Sequence, residues 1–567
     1  MKQMMYKIIF AISFSCLCLT VNGQSVVNSV HNLSISGTGD IKASNETEVC
    51  IFCHTPHNSS PQKPLWNRQS PGLSYTLYHS STIQSAPGQP DGASILCLSC
   101  HDGTIALGNV LSRGEQIEMS GGISVMPDGN SNLTTDLSDD HPVSFIYNVS
   151  LSSADGELVD PAGLTGPVRL QSEKMQCTSC HDPHDNSLTQ FLVASQQFSE
   201  LCLYCHQKSG WEAASHRTSS ATWDGTGNNP WLHTPYTSVS ENACENCHNP
   251  HTAAGNERLM NYLAEENNCL NCHNSNVAGK DIQADLMKTY RHDVYSYTSI
   301  HDPQENKTTE IRHVECADCH NPHETNNNES TPPEANGYIH GTGGVDTNGN
   351  PVARIQNQYE LCYRCHADSF DKPGSPTSRH IEQNNVRMEF DEGNPSYHPV
   401  EGPGQNSNVP SLIAPLTESS IIYCCDCHGS DAGDIRGPHG SLNPQILKFR
   451  YDTNNYSAES YQAYELCYQC HDRNEIINNM SNEFGEEVHR KHIVEENTPC
   501  NICHDPHGIS SSQGSITGNS HLINFDISAV NPSTGMMGRL QFIDDGDFAG
   551  RCYLNCHGFN HNPRSYQ

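Results

Sequence analysis

Cys316-Ala317-Asp318-Cys319-His320-Asn321-Pro322-His323 reads C-x-x-C-H followed by x-P-H. C-x-x-C-H is the attachment signature of a c-type haem. The two thiols bond to the haem vinyl groups, and the histidine that follows, here His320, can ligate the iron from one side. A single copy would also fit a redox dithiol. Recurrence along the chain decides between the two.

The string occurs twelve times in 567 residues. Its cysteines are Cys50 and Cys53, Cys97 and Cys100, Cys177 and Cys180, Cys202 and Cys205, Cys244 and Cys247, Cys269 and Cys272, Cys316 and Cys319, Cys362 and Cys365, Cys424 and Cys427, Cys467 and Cys470, Cys500 and Cys503, and Cys552 and Cys556. The histidines that follow are His54, His101, His181, His206, His248, His273, His320, His366, His428, His471, His504 and His557. Eleven copies are C-x-x-C-H, and the last, with one extra residue, is C-x-x-x-C-H.

The copies form six pairs, an internal repeat. First members tend to carry x-P-H, giving His57, His184, His251, His323 and His507; in the fifth pair the element is split off and ends in His439. Second members usually begin Leu-Cys, as in Leu361-Cys362-Tyr363 and Leu466-Cys467-Tyr468. The offset between first cysteines within a pair runs from 25 to 52 residues, so insertions fall in loops between fixed motif ends. The pairs divide the chain into segments 24–130, 131–215, 216–285, 286–375, 376–480 and 481–567.

Hydrophobic residues are only 35 % of the chain, too few for an ordinary core of this length. Low hydrophobicity with a net charge of −34 would suggest disorder, were it not for the motifs. Mature length divided by motif count leaves roughly 45 residues per haem, so the macrocycles are expected to replace the missing core and the chain to need them to fold. The expected fold is mostly irregular coil with short helices and few strands, wrapped around a closely packed chain of twelve c-type haems, with no large apolar core. Short helices are expected at Asn357–Arg364, Gln462–Gln469 and Ser195–Tyr204, and a strand or two near Val143–Val149.

Lys2 and Lys7 flank a start that runs into the apolar stretch Ile8–Val21, which reads as a signal peptide over 1–23 with cleavage before Gln24. Export to the periplasm or beyond follows. No later segment is long and apolar enough to span a membrane. Two of the 27 cysteines lie in the leader, and Cys425 alone stands outside the motifs, which leaves no room for a disulfide framework. The acidic balance makes nucleic acid an unsuitable partner.

A low-spin, electron-carrying haem needs a second strong axial ligand. Of 33 histidines, 21 lie outside the motifs. The regular x-P-H histidines sit three residues beyond the motif histidine, where the macrocycle blocks the far face of their own haem. They are expected on a neighbouring haem, foremost that of the pair partner. A second set, His31, His141, His233, His313, His398 and His492, lies upstream of first members, with His216, His292, His301, His380 and His489 as rivals. His79, His340, His521 and His561 stay unassigned.

The strings CHNPH, CHDPH and LCxxCH, with His141-Pro142-Val143 and His398-Pro399-Val400 upstream, resemble the doubled-CxxCH family of multihaem c-type cytochromes. The opening from His31-Asn32-Leu33-Ser34 through Pro64-Leu65-Trp66-Asn67-Arg68 to LCLSCHDG looks like a common N-terminal module of that family. The resemblance implies heme c as cofactor and electron transport in the periplasm, at the cell surface or in extracellular filaments. Redox partner proteins, terminal extracellular acceptors or further copies of the chain would be its partners. The C-x-x-x-C-H at Cys552, the split element after His428 and the extra Cys425 depart from the pattern.

Two other readings stay open beside an electron conduit. A multihaem oxidoreductase acting on a nitrogen or sulfur oxyanion needs an open iron position, whereas the histidines suffice to close twelve. Zinc binding by the cysteine–histidine groups does not account for export together with the repeated P-H element.

Overall fold

A computed structural model describes residues 26–60, 63, 65–297, 300–303, 305–306, 309, 311–480, 488–535 and 538–566. The leader expected over 1–23 lies outside them. The chain is mostly irregular, and its regular pieces are short. The longest α-helices are Gly92–His101 and Gln358–His366, each ending on a motif histidine. No helix among the described residues is long and apolar enough to cross a membrane.

Hydrogen-bonding side chains at the helix starts explain why such brief helices hold. In Gln358–His366 the Glu360 carboxylate accepts from the Asn357 N–H at 3.1 Å, half of a reciprocal capping box. The single turn Cys316–Cys319 is closed likewise, Asp318 accepting from the Glu315 N–H at 2.8 Å. Ser195–Tyr204 is broken into two pieces, Gln197–Ser199 and Glu200–Leu203, because Phe198 and Ser199 take positive φ. At Gln462–Gln469 only Cys467–Gln469 becomes a 3₁₀ turn. The strand expected near Val143–Val149 shrinks to one bridge, Ile146 to Lys174. There the Asn148 side chain accepts from Leu151 N–H at 3.1 Å and starts a helix, Val149–Asp155, instead.

Four two-residue strand pairs tie distant loops together. Among the described residues, the one larger sheet lies near the C-terminus: β1 (Val530–Asn531), β2 (Gln541–Gly546), β3 (Ala549–Cys556) and β4 (Phe559–Tyr566). β3 is central and antiparallel to the other three. This sheet carries the last motif and was not expected.

Apolar side chains gather in eight small clusters rather than one core. Most have motif cysteines among their members or at their rim, such as Cys53 and Cys100 beside Phe52 and Leu107. The N-terminal module is pinned by polar groups. Arg68, fully buried, donates to the carbonyls of Leu107, Ser99 and Ala106 at 2.7, 2.8 and 3.1 Å. Asn67 donates to Ile51 O at 2.6 Å.

Candidate haem-binding site

Eleven motifs share one local geometry. The chain coils through a single turn, and the histidine N–H returns to the carbonyl of the first cysteine where the motif is not already part of a longer helix. His54 to Cys50 spans 2.8 Å, His320 to Cys316 3.0 Å and His504 to Cys500 2.9 Å. Residues three apart on such a turn share a face, so both sulfurs look the same way.

The histidine rings are then oriented from behind. Nδ1 donates to a main-chain carbonyl in His101 (Ser131, 2.7 Å), His181 (Gln190, 2.8 Å), His248 (Arg258, 2.8 Å), His320 (Tyr338, 2.8 Å), His428 (Gln445, 2.9 Å) and His504 (His521, 2.8 Å). A carbonyl can only accept, so these rings carry their proton on Nδ1 and leave Nε2 bare. That is the arrangement found behind metal-binding histidines.

Each of these eleven rings faces a second imidazole. The ring centres are 6.0 Å apart for His54–His184 and His320–His439, and 6.1 Å for His428–His507. They are 6.2 Å apart for His101–His31, His181–His251 and His273–His216. They are 6.3 Å apart for His248–His323, His366–His292 and His504–His489, and 6.4 Å for His206–His141 and His471–His398. An imidazole nitrogen binds a transition metal at about 2 Å with its ring centre about 1.2 Å behind, so two imidazoles on opposite sides of one ion sit about 6.3 Å apart. The residues therefore fit an iron between each pair of rings. A twelfth pair, His492–His561, stands 6.1 Å apart.

The pairing follows a rule. The histidine of each P-H element faces the first motif of the preceding pair rather than its own pair partner: His184 goes back to His54, His251 to His181, His323 to His248, His439 to His320 and His507 to His428. The reason is local. The Asp or Asn before the proline accepts from the histidine N–H, Asp182 to His184 at 2.9 Å and Asn321 to His323 at 3.1 Å, and this turn throws the ring away from its own motif. The upstream histidines His31, His141, His216, His292 and His398 face the second motif of their own pair. Proline carbonyls of the following pair help hold them: Pro322 O accepts from His216 Nδ1 at 3.0 Å, Pro438 O from His292 at 2.9 Å, and Pro506 O from His398. The elements that end in His323, His439 and His507 thus each orient one ring with their proline and present another with their histidine.

Twenty of the twenty-four histidines expected as ligands stand in these pairs. The other four sit elsewhere. His57 is exposed beside Thr55. His233 Nε2 lies 3.0 Å from Glu245 O, and His313 Nε2 is 2.9 Å from Glu305 with its ring stacked on Tyr297. His557 stacks on Tyr456. The facing positions are taken by His216, His292, His489 and His561 instead. His301, another rival, is buried against Glu315 at 3.1 Å.

Burial keeps most of these rings uncharged, as a metal ligand must be. Loss of solvation pushes His206, His323, His439 and His489 down to about 3, and His273, His366, His428, His471 and His504 to about 4. His251 and His507 are exceptions. Burial opposes their charge, but the carboxylates of Asp140 and Glu389, each 2.9 Å from Nδ1, outweigh it and raise them.

Within pairs the second cysteines lie near one another, as Cys53 with Cys100 and Cys319 with Cys365. Across pair borders the first cysteines meet within hydrogen-bond reach: Cys97 with Cys177, Cys202 with Cys244, Cys269 with Cys316, Cys362 with Cys424 and Cys467 with Cys500. All twenty-four motif cysteines line one connected cavity of about 5140 Å³. Shared among twelve motifs that is about 430 Å³ each, within the usual range for a cofactor-sized ligand.

Paired C-x-x-C-H motifs of this kind indicate a multihaem c-type cytochrome, with haem c bound covalently. The chain carries the repeat of that class in three stretches, 170–210, 233–278 and 414–476, which match the family described as the doubled CXXCH motif. They contain the second, third and fifth motif pairs. No curated protein matches the chain.

Proposed function

We propose that the chain is a dodecahaem electron conduit, exported to the periplasm or the cell exterior, in which every iron is closed by two histidines of the same chain. The observation that carries this reading is the set of facing imidazoles at 6.0–6.4 Å, one pair for each motif. Closed irons exchange electrons without binding substrate, so the protein's work is placement, axial ligation and tuning by burial and hydrogen bonds. The cysteine contacts favour a haem order that follows the sequence, the first haem beside the second and so to the twelfth. The six pair segments are then not separable domains, because every segment after the first lends a ligand to the one before it. Redox partner proteins or extracellular acceptors would meet the ends of this chain. A filament of copies would need no ligand shared between subunits.

Pyridine haemochrome analysis of the purified holoprotein should give about twelve haems per chain, all low-spin and inert to CO in the reduced state. A CO-reactive haem in the unmodified protein would replace this reading with that of an oxidoreductase.

A further inference from the structure

The last motif departs from the others in backbone as well as in length. Cys552 and Cys556 lie in strand β3, not on a helical turn. Side chains of a strand alternate between its faces, so Cys552, Leu554 and Cys556 share one face. His557 leaves the strand in the left-handed conformation, with φ of 49°, and its ring turns aside. It stacks on Tyr456 with ring centres 4.3 Å apart, and its Nε2, the nitrogen an iron would need, lies 2.7 Å from Asn455 Oδ1. It is not among the residues that line the cavity.

His561 is. In the antiparallel pairing of β3 with β4, His561 stands directly opposite Leu554. Residues directly opposite in such a pair lie on the same face, which brings His561 to the face of Cys552 and Cys556. Across the cavity stands His492, 6.1 Å away between ring centres, with its Nδ1 donating to Val488 O at 2.8 Å. His492 is also the upstream histidine of the sixth pair, and in the five earlier pairs that position serves the second motif.

We propose that the haem of the last motif takes His492 and His561 as its axial ligands, and that His557, although it follows the cysteine, is not one. This rests on the dodecahaem reading. It makes the final site a haem whose proximal ligand comes from the neighbouring strand of a hairpin, five residues after the last cysteine.

The test uses the full-length holoprotein, unmodified and with His561→Ala, His557→Ala and His492→Ala. The unmodified protein checks the underlying reading by itself, through about twelve CO-inert haems per chain. Given that, His561→Ala and His492→Ala should each open about one haem per chain to CO, and the double variant still about one, because both remove ligands from the same iron. His557→Ala should open none. The proposal is overturned if His557→Ala opens a haem, or if His561→Ala and His492→Ala open two different ones. Should the alanine variants be poorly produced, His561→Met keeps a ligand. It should leave haem count and spin state intact while raising the midpoint of one haem, and His557→Met should shift none.

Discussion

His323 gives the sharpest test of how the pairs interlock. It sits three residues from His320, and the sequence alone points it towards the haem of its own pair partner, that of His366. The structure sets its ring 6.3 Å from His248, in the preceding pair, against about 6.3 Å for two imidazoles on one iron. Its Asn321-assisted turn fixes that direction. If His323 and His248 hold one iron, as proposed, replacing His323 with Ala removes one of its two ligands, and the reduced holoprotein should bind about one CO per chain, roughly a twelfth of the proposed haem complement. Double variants identify the iron. His323→Ala with His248→Ala should still give about one CO, because both act on the same haem, whereas His323→Ala with His366→Ala should give about two. Stoichiometry read by CO titration against haem content decides it. The reverse pattern, two with His248→Ala and one with His366→Ala, would refute the assignment and with it the rule that P-H elements reach backwards.

Other outcomes follow from the same geometry. Arg68→Met strips three buried carbonyls of their donor and should cost about 3 kcal/mol or more, seen as a lowered thermal midpoint and easier proteolysis near the first two motifs. Burial, with Asp391 and Glu392 nearby, raises Glu401 to about 7, although Tyr363 donates to it at 2.5 Å. Its unfolded value of 4.5 is lower, so the unfolded chain releases this proton first; stability should fall as pH rises from about 4.5 to 7 and then level off. Glu401→Gln should flatten that part of a midpoint-against-pH curve. Cys425 is about 100° around its helical turn from Cys424, so Cys425→Ala should leave the haemochrome count unchanged. A chain expressed without haem attachment should show no cooperative unfolding by circular dichroism, because the apolar clusters are too small to hold it.

The local geometry was legible where chemistry and spacing repeat. Cysteine pairs, motif histidines and P-H elements keep their local strings, and short-range hydrogen bonds set their shape. The absence of one large core and the helix that ends at His366 could be read from composition and pattern. Which upstream histidine faces a motif histidine could not. His216 and His292 precede their first cysteines by 28 and 24 residues, and His141 and His398 by 36 and 26, so loop length carries no constant register. The His-Pro-Val string marks only two of them. His233 and His313 were equally plausible by position; their rings are taken up by a carbonyl of Glu245 and by Glu305. The C-terminal sheet did leave a weak sign, Asp545-Gly546 at the end of β2, just before the two-residue turn Asp547-Phe548 that leads into β3. The cysteines of the last motif masked it, because they read as a haem clamp before they read as a strand.

The P-H element reaches one pair back, and this settles what the chain can gain or lose. On the proposed ligation, a cut between two pairs would leave one iron on its N-terminal side short of a ligand. Splicing in or out one whole pair would leave every reach matched. The natural increment of such a wire is therefore a pair. His57, in the first P-H element, is exposed. In the sixth pair His489, not the histidine of a P-H element, faces His504. Because His489 of the same chain already faces His504, copies set end to end would, on the proposed ligation, need no histidine from one another.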